Sequence, residues 1–410
     1  MNILLVDSCL PSSTFSGKTV RLKNIYGRLA VDSKVVFLKT QQDGACHEAE
    51  ELSTWSKKTF AKCITLSRLP QAGDWEKIKT LMTLKPWYDL ETKYENYLST
   101  IKKELVDLCR DHEIDVVITF DNETAPFGKL LSTNYPWIQD LGDSMILQIE
   151  RRLRSKMGWK EKARALCRLL REKSYEEEMA KKAKKTIFVA DDDARQYREK
   201  FGSRILTIPN GVNYEYFDSK AVSPFILGEP YIVFTGHMKF SPNQDAACYL
   251  AKEILPILRQ SVSNLNLMIV GADPSDEVLK LRSIPGVTVT GCVPDIRPYL
   301  VGAKVFACPM RIGTGIKNKI LEAMSMELPI VASSLAIRGI PDISSACVTV
   351  ADKKADFIGA VLKVVNKKSS SSFGQANRKF VIDRYSWEKT IERYNKCLKQ
   401  IVTNGHTISD

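Results

Sequence analysis

Residues 311–326 read "RIGTGIKNKILEAMSM", which sets Arg311, Lys317 and Lys319 around a Gly-Thr-Gly turn and places Glu322 on the apolar-periodic run that follows. A glycine loop that runs into a helix leaves backbone N–H groups unpaired at the positive end of the helix dipole, and that combination suits phosphate oxygens. With a helix expected over residues 316–326, Gly315, Asn318, Lys319 and Glu322 fall at i, i+3, i+4 and i+7 and share one face. A lysine one turn in then meets a phosphate, and a carboxylate two turns in accepts from hydroxyls such as those of a ribose. The bland alternative is a helix start with ordinary surface lysines. Two named phosphate motifs do not fit. The Walker A pattern G-x-x-x-x-G-K-[ST] is absent, and a dinucleotide fingerprint would open a domain rather than follow its fourth strand.

Short apolar runs alternating with amphipathic stretches must position these residues. In the first half they are 2–6, 35–39, 115–120, 136–141 and 186–190; in the second, 231–236, 265–271, 287–291, 304–310 and 329–333. Continuous apolar runs of this length, separated by helical patterns, predict buried parallel strands in an α/β protein. Two such blocks meet at the turn "IPNGVNYEYFD" (208–218), so the expected organisation is two doubly wound, Rossmann-like domains, 1–207 and 208–385. The helical pattern at 386–402 is expected to complete the first. Ligands would sit in a central cleft, outside the carboxyl ends of the strands.

Composition narrows the class. The 410 residues are 44% hydrophobic and 26% charged, ordinary globular usage that excludes a disordered or fibrous chain. The formal net charge of +12 points to anionic partners: nucleotides, lipid headgroups or nucleic acid. Ten scattered cysteines without a C-x-x-C pair argue for reduced thiols, mostly small apolar core groups, and no metal is expected. "MNILLVDS" enters a strand directly and no run of 18 apolar residues occurs, so the expectation is a cytoplasmic protein, soluble or lying on a surface.

Residues 151–185 hold 14 Lys/Arg against 5 Asp/Glu, interleaved with Leu153, Met157, Trp159, Ala163, Leu166 and Leu170. Two readings stand: a basic amphipathic helix or helix pair on anionic lipid at the inner membrane face, or a helix packed on its own sheet with a solvated basic face. Nucleic acid is the weakest of the partners. "KPWYDLETKYENYL" (85–98) reads as an aromatic amphipathic helix, packed in the fold or offered to an acceptor.

Four stretches in order, "IPNGVNYEYF", "FTGHMKFSPNQDAACYLAKEILPIL", "VTVTGCVPDIRPYL" and "GTGIKNKILEAM…PIVAS", resemble the family 4 glycosyltransferases of GT-B architecture. The likeness is closest to bacterial polysaccharide and exopolysaccharide sugar transferases, strong over 205–390 and weaker before it. It implies an enzyme that moves a sugar, hexosyl or related, from a nucleotide-sugar co-substrate such as a UDP- or GDP-sugar to an acceptor hydroxyl on a glycan or lipid-linked glycan. Retention and metal independence are part of the implication. Glu322 matches the second glutamate of the family's E-x7-E signature, on the donor ribose, and Lys317 and Lys319 match the basic positions near the diphosphate. Gly313, Thr314, Gly315 and Ile316 would give backbone N–H groups to the donor, and Val293 stands where backbone atoms read the base edge. His237 and Lys239 occupy the places of an Arg and a Lys on the diphosphate; in "SGKTVRLKN", Ser16, Gly17 and Arg21 would approach from the first domain.

Two departures accompany the resemblance. Thr314 replaces the first glutamate of the signature, and the first domain offers Gln139 and Asp140 where the family has a histidine. The four histidines, at 47, 112, 237 and 406, lie at no strand end of that domain. Departing diphosphate is then left to Lys319, Lys239, Arg311 and the helix N-terminus, and Asp140, Asp143, Asp121 and Glu123 are the carboxylates that would orient acceptor or donor sugar. Each of the four also reads as a cap or loop acid. The rivals are a catalytically silent relative that binds a nucleotide-sugar or glycan within a complex, a nucleotide-sugar epimerase, and a glycosyltransferase acting on nucleic acid.

Overall fold

A computed structural model describes residues 1–8, 17–40, 58–66, 86, 89, 98–153, 158–313, 315–341, 343, 348–367 and 371–405. The chain divides into two compact units, Met1–Pro209 with Thr390–Asp410, and Asn210–Lys389.

The first unit is built on strands β1 (Asn2–Asp7), β2 (Lys34–Lys39), β3 (Lys62–Thr65), β4 (Val116–Phe120), β5 (Trp137–Gly142), β6 (Lys185–Phe188) and β7 (Ile205–Thr207). Its helices are α1 (Gly17–Asp32), α2 (Leu98–Asp111), α3 (Asp121–Leu131), α4 (Met145–Leu153), α5 (Trp159–Lys182) and α6 (Asp191–Phe201). All seven strands form one parallel sheet in the order β3-β2-β1-β4-β5-β6-β7. Strand β4 is buried at every residue, the signature of a strand covered by helices on both faces. Buried Arg21 of α1 and Asp140 of β5 form an ion pair at 2.9 Å, and the Arg21 Nη1 donates to the Ile208 carbonyl at 3.0 Å.

The second unit has six parallel strands, β8 (Tyr231–Thr235), β9 (Asn266–Val270), β10 (Val287–Gly291), β11 (Val305–Cys308), β12 (Ile330–Ala332) and β13 (Thr349–Val350). Their order is β10-β9-β8-β11-β12-β13. The helices are α7 (Ser241–Tyr249), α8 (Leu255–Ser261), α9 (Asp276–Leu279), α10 (Arg297–Gly302), α11 (Asn318–Ser325), α12 (Ser334–Ile337), α13 (Lys354–Val365) and α14 (Ser371–Tyr385). A π-helical segment, Leu250–Ile254, joins α7 to α8. One apolar core runs through this unit, with Phe234, Leu250, Ile269, Phe306, Leu321 and Val331 all fully buried. Helix α15 (Trp387–Gly405) follows, and from Thr390 onward it belongs with the first unit: the Thr390 hydroxyl donates to the Pro209 carbonyl at 3.1 Å and the Tyr394 hydroxyl to Asp140 at 3.2 Å.

The ten apolar runs correspond to ten strands. Strands β3, β7 and β13 are absent from the sequence reading, because they are short edge strands whose residues are largely outside the core. Of the two forms expected for the basic stretch 151–185, the helix pair is the one present: α4 ends at Leu153 and α5 begins at Trp159. The segment 85–98 lies outside the described residues except for Pro86, Asp89 and Leu98. Cys109, Cys308 and Cys397 are buried, whereas Cys167 and Cys292 are exposed, so the cysteines are less uniformly core residues than their chemistry predicted. Among the described residues no helix is long and apolar enough to cross a membrane.

Candidate active site

In a doubly wound sheet the crevice for ligands opens where successive connections leave in opposite directions. In the second unit that point lies between β8 and β11, which are neighbours in space although β9 and β10 intervene in sequence. The loop after β8 carries Gly236, His237, Met238 and Lys239; the loop after β11 carries Arg311 through Lys317 and leads into α11.

Two glycines bring the loops together. Gly271, at φ +150°, follows β9, and a Cβ there would stand 1.8 Å from the Gly236 carbonyl oxygen. A Cβ on Gly236 would stand 2.7 Å from both the Asn243 Nδ2 and the Lys319 Nζ. The floor is therefore bare backbone with a lysine beside it. The Lys319 Nζ donates to the Asn243 Oδ1 at 2.6 Å and lies 4.3 Å from the centre of the Phe234 ring, while the Asn243 Nδ2 donates to the His237 carbonyl at 2.9 Å. Asn243 thus ties the helix after β11 to the loop after β8. Beside them, His237 Nε2 is 2.8 Å from the Asp273 carboxylate.

Lys319 and Glu322 are one turn apart on α11 and both are mostly buried. Burial pushes the Lys319 ammonium down to about 8, against a smaller upward pull from Glu322. It also pushes the Glu322 carboxyl up to about 7, with Lys319 drawing it back only in part. Among the described residues no side chain or backbone N–H donates to the Glu322 carboxylate. Asn243 is the one hydrogen-bond acceptor that Lys319 meets among them. A cation short of acceptors and a carboxylate short of donors, on one face above a strand-end crevice, match a ligand with anionic oxygens at one point and hydroxyls at another.

The remaining predicted residues are placed less uniformly. Helix α11 starts at Asn318, not 316, because Gly315 takes φ +64° and Lys317 stays extended as N-cap. Gly313, at φ +128°, also adopts a conformation that favours glycine. The Lys317 Nζ curls back to donate to the Gly315 carbonyl at 3.0 Å. Ile316 is half-buried between them, and Thr314 lies outside the described residues, as does Ser16. Val293, after β10, packs partly buried against the core, and Lys239 is exposed.

Three of the expected partners are engaged inside the protein. Arg311 is held bidentate by Asp245, at 2.9 and 2.5 Å, and stacks 4.4 Å from the Tyr249 ring centre, so its charge is neutralised by a neighbour on α7. Asp140 and Arg21, read separately as a carboxylate orienting a sugar and a phosphate ligand, face one another in the buried pair already described. Meeting one another offsets much of the cost of taking both charges out of water, and here each is the other's buried counter-ion. Gly17 opens α1, so the stretch after it is helix rather than loop. Asp121, at φ +66°, and Glu123 sit in the first turn of α3, and Glu123 and Asp143 are exposed.

Asn243, Gly236 and Gly271 were not singled out in the sequence. The glycines had a signal, since each directly follows an apolar strand run. Asn243 had none, because its partner is 76 residues away. Among the described residues no group of three or more His, Cys, Asp or Glu side chains is placed to hold a metal ion.

The comparisons with known proteins agree with this architecture. Residues 229–367 match the family described as glycosyl transferases group 1. No curated protein matches the sequence. The fold is similar to that of a glycosyltransferase from Rickettsia africae, at 13% identity and a TM-score of 0.68 over 98% of this chain and 99% of that one. It is also similar to sucrose-phosphate synthase from Thermosynechococcus elongatus (15% identity, TM-score 0.66, 98% and 99% covered). HepE of Anabaena, in complex with UDP and glucose, aligns at 13% identity with a TM-score of 0.64, covering 97% and 99%. The chain has the GT-B fold, α/β with two parallel sheets of seven and six strands. Within that fold, residues 229–367 of the second unit are similar to the group 1 glycosyl transferases.

Proposed function

We propose that the protein transfers a sugar from a nucleotide-sugar to an acceptor hydroxyl, with the donor held in the second unit. The observation that carries this reading is the Gly236–Asn243–Lys319 constellation at the topological switch point, with Glu322 one turn further along the same helix. Lys319, aligned by Asn243, meets the diphosphate where the missing Cβ of Gly236 lets it approach. Backbone N–H groups of Gly313, Gly315 and Ile316 add to this, and Lys317, Lys239 and His237 line the approach. Glu322 accepts from the ribose hydroxyls, and the chain beside Val293 takes the base. The UDP complex of HepE supports a nucleotide diphosphate as the ligand class.

The chemistry needs the bond between the anomeric carbon and the diphosphate oxygen to break while one to the acceptor oxygen forms. Charge gathers on the departing phosphate, and Lys319 with the N-terminus of α11 stabilises it there. We assign the acceptor proton to that same phosphate oxygen, with retention and without a metal. The acceptor is a glycan or lipid-linked glycan, recognised by the first unit, in polysaccharide biosynthesis.

The test is thermal stability with UDP, GDP, ADP and CMP, for the native chain and Glu322→Ala. A nucleotide present at ~100 times its dissociation constant adds about 2.7 kcal/mol. One nucleotide is expected to stabilise the native protein, with a smaller effect in the variant. Stabilisation by none, together with no release of nucleotide from UDP- or GDP-sugars, would overturn the reading.

A further inference from the structure

The first unit carries a surface that sugar transfer does not explain. Trp159, Leu166 and Leu170 of α5 are 76%, 52% and 59% exposed, although large apolar side chains elsewhere in the unit are mostly buried. At 100° per residue, 159, 163, 166 and 170 form one stripe along the helix, completed by exposed Ala163. The same helix buries Glu172, Tyr175, Glu176, Met179 and Ala180 nearer its C-terminal end. Helix α5 is therefore anchored by its second half and presents its first half outward.

Charge identifies what covers the stripe. Exposed Lys160 and Arg164, with half-buried Arg171, flank it on one side, and exposed Lys162 and Lys173 flank it on the other. The acids leave it clear: Glu161 lies on the side of the helix away from the stripe, Glu172 is buried, and Glu177, further along, pairs with Lys200 at 2.5 Å. A second protein would need a matching acidic rim around an apolar groove, and a second copy would set base against base. An apolar ridge between two rows of bases, tipped by a tryptophan, fits a plane with anionic headgroups over hydrocarbon. We infer that the first half of α5 docks the protein on an anionic lipid surface, Trp159, Leu166 and Leu170 entering the headgroup boundary while the flanking bases contact the headgroups. This assignment does not depend on which sugar is transferred.

The experiment is flotation of the full chain with phosphatidylcholine vesicles and with otherwise identical vesicles containing phosphatidylglycerol. Binding is expected only to the second kind, weakening with salt. Lys160→Glu with Arg164→Glu should weaken it about thirtyfold or more, from about 1 kcal/mol per basic residue near the surface. Leu166→Glu with Leu170→Glu should abolish it, with circular dichroism and thermal midpoint unchanged because both side chains are exposed. The fluorescence difference between the native chain and Trp159→Phe should move to the blue when vesicles are added. Three results would each overturn the inference: no flotation with phosphatidylglycerol vesicles, flotation undiminished by the leucine changes, or a native dimer that the leucine changes dissociate.

Discussion

Replacing Lys319 with methionine separates stability from binding. Its proton affinity falls from the ordinary 10.5 to about 8 in the folded chain. At about 1.4 kcal/mol per tenfold change, the charged side chain is about 3 kcal/mol less favourable folded than unfolded at neutral pH. Methionine removes that cost and keeps contact with the Phe234 ring. The loss is the hydrogen bond to Asn243, whose orphaned Oδ1 costs about 1–2 kcal/mol. The net expectation is about 1–2 kcal/mol of added stability at pH 7, or several degrees in the midpoint of a domain this size. UDP binding should fall roughly tenfold to a hundredfold, the worth of one hydrogen bond to a charged group. The assay pairs thermal unfolding with calorimetric titration of UDP. A lysine whose folded value lies below its unfolded one contributes stability above pH 10.5 that is lost as pH falls through 8, so the variant should lack that slope. UDP affinity of the native chain should decline as pH rises above about 8, and the variant's should not. A variant that loses more than about 1 kcal/mol while binding UDP normally would refute the reasoning and return Lys319 to a packing role.

Three further perturbations test other parts of the site. Glu322→Gln should raise stability at pH 8 by about 3 kcal/mol and weaken UDP relative to its 2′-deoxy analogue; because the native carboxyl sits near 7, the stability gap should open between about pH 4.5 and 7 and stay flat above it. Gly236→Ala should cost about 1–2 kcal/mol, since the new methyl crowds the buried Asn243 amide and the Lys319 ammonium and breaks the hydrogen bond between them, and it should abolish UDP binding by displacing Lys319, as titration would reveal. Asp140→Asn should cost about 3–5 kcal/mol in urea unfolding by taking the counter-ion from the buried Arg21 charge; a stable but inactive variant would instead favour a part for Asp140 in the chemistry.

The sequence alone determined the parallel sheets and the positions of ten of the thirteen strands among the described residues, because continuous apolar runs can bury both faces only inside a covered sheet. It also determined that Lys319 and Glu322 share a helix behind a glycine turn, a relation fixed by a separation of three residues. Only tertiary structure decided which of the charges meet a partner inside the protein. Arg311 and Lys319 lie eight positions apart and look equivalent in the chain, yet Asp245 of α7 neutralises the first while the second is left with an asparagine. Arg21 and Asp140 are 119 residues apart, and nothing in either neighbourhood announces that they meet. The apolar stripe of α5 was visible as periodicity, but periodicity does not say which face a helix buries. That choice follows from the packing of its second half, and it leaves Trp159, Leu166 and Leu170 in water.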